Sequence, residues 1–413
     1  MRWPAAQPTQ LNTPPKPISR FRRVLLKMIT GAADVDPALV ITATVAGALF
    51  RYSLLWSVLL SVPILVSVFA VSARIGSETK RGLMDLLRGQ YGRALALICA
   101  AIVLSINMTM IVADLMAVTD AFSIIIQLPR MFFIAATAFA VWHILIFRDY
   151  RRVTRILAIL ALPLLIYVAA AVLAHPNWPR VIRHSIVPTI TGGSGYPAAV
   201  LAIFGSLLTP YVLVWQTSSR RTELRAEAMS TEHRAGVIVT TVLCYAIMVA
   251  AGALLQVTHV GDLTTRMAAE ALTPALGPLA TVLFALGLIG AGMVALPVLI
   301  ASMCYSVSEA MGWPSGLNEN PWEAKRFFGM ISGAVFIAGA LNFVRINPVV
   351  VLYWSQILAG ILALPILGFI LLVSNDHRLM RTTNTWWQNF WIGAGCGAVL
   401  CAILLAFGWK FLQ

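Results

Sequence analysis

Two stretches of this chain put a proline and polar groups in the middle of apolar runs of membrane-crossing length. Gly31-Ala32-Ala33-Asp34-Val35-Asp36-Pro37-Ala38 interrupts the first, and Gly205-Ser206-Leu207-Leu208-Thr209-Pro210-Tyr211 the second. Proline removes a hydrogen-bond donor and clashes with the preceding turn. In lipid the freed backbone groups must face protein or a cavity. A carboxylate at Asp36 beside freed carbonyl oxygens is a donor set for a hard cation. Asp36 can equally cap the half-helix that Pro37 begins, since Asp suits the N-cap and Pro the first helical position. The two roles are compatible. Asp34 either strengthens cation binding, sharing a proton with Asp36, or lines the inner vestibule. Ser206 and Thr209 offer hydroxyls and carbonyls to a cation, or bond back to their own helix. Tyr211 either donates to a ligand or anchors the broken helix.

Three further polar residues lie deep in apolar runs. Asp114, in Ile-Val-Ala-Asp-Leu-Met-Ala, is either a proton relay or a partner for a polar group on another helix. Gln356, in Tyr-Trp-Ser-Gln-Ile, offers a neutral oxygen to a site or a hydrogen bond between helices. His143 reads as structural. Gly287, Gly290 and Gly292 fit close helix packing. The five cysteines, Cys99, Cys244, Cys304, Cys396 and Cys401, all sit in apolar runs without metal-ligand spacing, and read as small buried side chains. The sequence shows no nucleophile–base pair, phosphate loop or His/Cys zinc cluster. It therefore argues against an enzyme and implies no cofactor.

The elements that must carry these residues are membrane helices. Of 413 residues, 59% are hydrophobic and only 11% charged, against about 25% charged in soluble globular chains. A span needs about 20 apolar residues. Eleven candidates run over 24–50, 53–73, 93–122, 131–147, 154–174, 197–217, 235–255, 279–311, 327–343, 348–373 and 386–411. With a cytoplasmic N-terminus, 23 of the 30 Lys and Arg fall in inner segments, as the positive-inside rule requires. The net charge of +14 therefore reflects topology rather than nucleic-acid binding, and the C-terminus is expected outside. Residues 1–19 are polar and proline-rich, without the apolar stretch of a signal peptide. Residues 1–23 as a whole are expected to form a disordered cytoplasmic tail.

The breaks fall in spans 1 and 6. Two such breaks in corresponding halves are the strongest sequence pointer to a transporter's binding site. Their spacing predicts two five-span units of opposite orientation, residues 24–174 and 197–373, with span 11 at 386–411 appended. The longest outer loops are expected at about 175–196 and 256–278, and neither reads as a separate domain.

On these features the chain resembles a divergent member of the NRAMP family, proton-coupled divalent metal transporters with the LeuT-like broken-helix inverted repeat. The resemblance also includes Leu-Phe-Ala-Leu-Gly-Leu at 283–288 and Ser355-Gln356. The family's Asp-Pro-Gly-Asn stands here as Asp36-Pro37-Ala38-Leu39, so the aspartate is kept and the asparagine ligand becomes Leu39. Its Ala-x-x-Met-Pro-His stands as Ser206-Leu207-Leu208-Thr209-Pro210-Tyr211. Asp114 matches the aspartate of an Asp-x-x-Glu motif whose glutamate is replaced by Ala117.

The resemblance implies an all-α multi-pass carrier of the inner membrane that moves a divalent cation by alternating access. It implies a metal site of Asp36, Ser206, Thr209 and Gln356, and a proton or cation pathway of Asp34, Asp114 and Tyr211. Thioether ligands favour transition metals, so Thr209 in place of methionine shifts the expectation toward Mg²⁺ or Mn²⁺. Loss of the histidine and glutamate weakens the case for proton coupling. A carrier of a small organic solute on the same fold, or a non-transporting membrane sensor, stays open as an alternative.

Overall fold

A computed structural model describes residues 35–147, 159–160, 162–189, 195–219, 227–317, 321–344 and 346–408. Asp34 and the expected N-terminal tail lie outside the described residues. Fifteen helices matter here. They are α1 (Pro37–Phe50), α2 (Leu55–Thr79), α3 (Leu83–Tyr91), α4 (Arg93–Ile126) and α5 (Met131–Ile146). Then come α6 (Ile166–Leu173), α7 (Trp178–Ile186), α8 (Gly195–Leu208), α9 (Pro210–Ser219) and α10 (Glu227–Leu254). The last are α11 (Thr265–Glu270), α12 (Leu279–Met311), α13 (Lys325–Leu341), α14 (Pro348–Ser374) and α15 (Trp386–Gly408). No strand occurs among the described residues.

The count of eleven spans needs correction. Seven described spans are long and apolar enough to cross a membrane, or eight if one bent pair is a single span. Helix α1 has 14 residues and α5 has 16, both short of a full crossing. The expected outer loop at 175–196 contains α7, which turns back at 113° to the helix before it. Asn177 caps α7 through its side chain on the Arg180 amide at 3.2 Å. One side of this helix is wet and charged, while Ile182 and Ile186 stay exposed, the pattern of a helix lying along an interface.

The helices sort by how much lipid they face. In the most apolar stretches of α8–α9 and of α12, 83% of residues are buried within the protein, against 22% for α15. The broken helices and α12 thus form the centre, and α15 sits at the rim. Helix α12 packs along α4, α8 along α14, and α10 along α1. Small residues set these approaches, since helices in lipid associate through packing rather than the hydrophobic effect. A Cβ on Gly205 would collide with the Gln356 carbonyl, and one on Gly360 with the Leu201 carbonyl. The backbones of α8 and α14 therefore touch at the level of the second break. Gly292 of α12 likewise lies against Val118 and the Pro37 ring.

The segment at 256–278 is not loose. Leu263, Thr265, Ala268 and Ala269 are buried. The Asn347 amide donates to the Leu263 carbonyl at 2.9 Å, and Thr265 donates to Asp120 at 3.1 Å. Arg130 bridges the end of this layer, 3.8 Å from Asp120 and 2.7 Å from the Val344 carbonyl.

Candidate binding site between the broken helices

Asp36 begins α1 in extended backbone, with φ −103° and ψ 164°. Its Oδ1 accepts from the Leu39 amide at 2.7 Å, so the capping role expected of an Asp-Pro pair is realised. Its Oδ2 accepts from the Tyr211 hydroxyl at 2.8 Å. The first break is thereby tied to the second. Asp36 is 1% exposed, and an ionisable group so placed marks a functional position by default.

The second break is built by Thr209 and Pro210. Thr209 has φ +36°, in the left-handed region that β-branched residues avoid. Its amide still closes the end of α8 on the Gly205 carbonyl at 3.2 Å. Its carbonyl opens α9, accepting from Val212 at 2.9 Å. Proline has no N–H, so the Ser206 carbonyl loses the amide that a continuous helix would supply. The Ser206 hydroxyl donates back to the Ile203 carbonyl at 3.0 Å. Its donor is used locally while its lone pairs remain. Ser302 of α12 donates to the Tyr211 carbonyl at 2.8 Å, pinning the start of α9.

Asp114 and Gln356 are each 0% exposed. Neither carboxylate oxygen of Asp114, and neither amide atom of Gln356, has a hydrogen-bond partner among the described residues. Asp114 stands within electrostatic reach of Asp36 and beside the Ala38 amide. A buried polar group left unpaired is costly, and two in one region indicate a place made for something that binds. Thr42 of α1 is also buried with an unpartnered hydroxyl. Sequence reasoning passed over it, because a threonine in a membrane helix ordinarily bonds back to its own turn.

The other singled-out polar residues stand elsewhere. His143 is exposed on α5 and stacks with Phe147 at 4.5 Å between ring centroids, as its structural reading expects. Asp120 belongs to the outer layer described above. Glu309 is buried and accepts from the Met84 amide at 3.2 Å, at the start of α3. No group of three His, Cys, Asp or Glu able to hold a metal occurs among the described residues. A cation between the breaks would be held by one or two carboxylates, neutral oxygens and its own water, which suits a hard ion.

A family profile, that of natural resistance-associated macrophage protein-like proteins, matches residues 27–410. The chain is 28% identical over 285 residues to the divalent metal cation transporter MntH of Deinococcus radiodurans, with 64% of each chain covered. It is 25% identical over 368 residues to MntH of Acidiphilium cryptum, covering 86% of this chain and 82% of that one. The match thus spans just under two thirds of the first relative and most of the second. A crystal structure of a mutant Eremococcus coleocola manganese transporter superposes with a TM-score of 0.69 at 16% identity. That superposition covers 95% of this chain and 87% of that one. The two chains share a fold.

Proposed function

Because the chain belongs to the natural resistance-associated macrophage protein-like family, we propose that it is a secondary carrier of divalent metal cations in the inner membrane. One observation carries the reading. The two broken helices meet at a buried carboxylate, Asp36, hydrogen-bonded to Tyr211 across the breaks, with unpartnered oxygen donors around it.

In this reading Asp36 is the anionic ligand. The Ser206 carbonyl, Thr209 and Gln356 supply neutral oxygens. Tyr211 holds Asp36 when no cation is present and must release Oδ2 for the cation to take it. Asp114, together with Asp34, which lies outside the described residues, lines the cation or proton route. Alternating access then comes from rocking of one helix group against the other. The two groups are the repeats at 24–174 and 197–373, with 386–411 appended, the N-terminus inside and the C-terminus outside. Oxygen-only donors favour Mg²⁺ or Mn²⁺ over softer metals.

The test is influx of Mn²⁺ and Mg²⁺ into liposomes carrying an internal pH dye, with Asp36→Ala and Asp36→Asn alongside. Asparagine still caps α1, whereas alanine forfeits about 1 kcal/mol of capping. Flux lost in both variants, with Asp36→Asn folded as well as the native chain, is the expected result. Retained flux in Asp36→Asn would sink the role given to the charge. Acidification of the lumen alongside influx would show that protons travel with the metal.

A further inference from the structure

Thr42 lies on α1, one helical turn beyond Ala38. Its hydroxyl makes no hydrogen bond among the described residues. That is unlike its buried neighbours in kind. Thr44, Ser57, Ser61, Thr119 and Thr217 each donate to a carbonyl three or four residues back. A hydroxyl that forgoes this bond inside the protein pays the whole desolvation penalty.

Its direction follows from helix geometry. Residues four apart share a face, so Thr42 stands above Ala38, whose amide lies beside Asp114. Gly47, which admits the backbone of α10 at Met248, is five residues further on, about 140° around the helix. Thr42 therefore faces away from α10. Gln356 comes from α14, which packs against both α1 and α4, the helices of Thr42 and Asp114. Three helices thus bring one carboxylate, one hydroxyl and one carboxamide to the same region, and none of these groups has a partner. By contrast both oxygens of Asp36 are engaged, by Leu39 and by Tyr211. The asparagine that could have added an oxygen in the first turn of α1 is Leu39, which is buried and apolar.

We propose that Thr42 is a direct ligand of a hard divalent cation, held with Asp114 and Gln356 in a position one turn along α1 from Asp36. This rests on the carrier reading and gives it a sharper donor set. One carboxylate and two neutral oxygens leave half or more of an octahedral shell to water, as Mg²⁺ requires. Thr42 restores the oxygen that Leu39 lacks. Asp36 then joins the ion only when Tyr211 lets go.

The experiment uses the full chain and three forms: native, Thr42→Val and Thr42→Ser. Mg²⁺ binding is read by calorimetry in detergent, thermal unfolding with and without Mg²⁺, and flux in liposomes. Thr42→Val should weaken Mg²⁺ binding about tenfold or more, the loss expected when one charged-group contact disappears. It should also unfold at a higher temperature than the native chain when Mg²⁺ is absent, because a desolvated hydroxyl has become a methyl group. Thr42→Ser should bind close to the native chain. Unchanged Mg²⁺ affinity in Thr42→Val overturns the proposal, and with native flux intact the carrier reading survives. Binding that depends on Thr42 without any flux in the native chain upholds the ligand and overturns the carrier. A native chain that neither binds nor moves Mg²⁺ overturns both.

Discussion

At Thr209 one residue combines an unfavourable backbone with the loss of a soft ligand. Its φ of +36° is imposed by the break, because the amide still serves α8 while the carbonyl already serves α9. Thr209→Met would remove β-branching from a left-handed position and return a thioether to the site. Thioethers prefer softer ions. The variant should therefore favour Mn²⁺ and Cd²⁺ over Mg²⁺ relative to the native chain, measured as competition in liposome uptake. An unchanged order of preference would mean that the residue 209 side chain does not reach the ion. Residues of this kind were legible beforehand because their chemistry is local. Asp-Pro announces a cap, and Thr-Pro after an apolar run announces a break. Thr42 was not legible. What sets it apart is a missing bond and the two helices facing it, and neither is written in its sequence neighbours.

The elements explain how a break can be held without falling apart. Helix α8 crosses α14 with backbone against backbone at Gly205 and Gly360, directly before the interruption at Thr209. Close contact there fixes the end of α8, and Ser302 fixes the start of α9. The unwound residues between them keep one arrangement. Gly205→Ala would press a methyl group onto the Gln356 carbonyl, and a crossing of two backbones has no flexible side chain to yield. Overpacking of this kind typically destabilises by about 1–3 kcal/mol. A lowered melting temperature, with weaker divalent binding because Gln356 is displaced, is expected. A variant as stable as the native chain would show that the crossing can open. Long apolar runs made most elements readable, and the bounds of α12 at Leu279–Met311 match the expected 279–311. Helix α7 escaped because nine residues with Pro179 and two arginines look like a loop. Its helical character shows only in the spacing of Val181, Ile182 and Ile186.

For the whole molecule, charge and packing bear on the same question of sidedness. The inner segments of the N-in arrangement carry 23 of the 30 basic residues, and that bias sets orientation during insertion. The layer of residues 256–278 lies on the opposite side. It is tied down through Leu263 and Thr265, and the Val257 amide reaches the Ala48 carbonyl near the end of α1 at 3.4 Å. Asp36 therefore sits beneath a covered face, and the route to it from that face is shut in this arrangement. Which compartment lies beyond the cover is decided by topology. Arg266 and Arg378 are both exposed and fall on opposite sides of the expected membrane. A charged, membrane-impermeant maleimide should label Arg266→Cys in intact cells and Arg378→Cys only after permeabilisation. The native cysteines lie in apolar helices, where thiolates do not form readily, and should stay unlabelled. The reverse pattern would turn the molecule over. The covered face would then look into the cytoplasm, and this arrangement would be closed to the inside, so the first step of transport would have to begin from the other compartment.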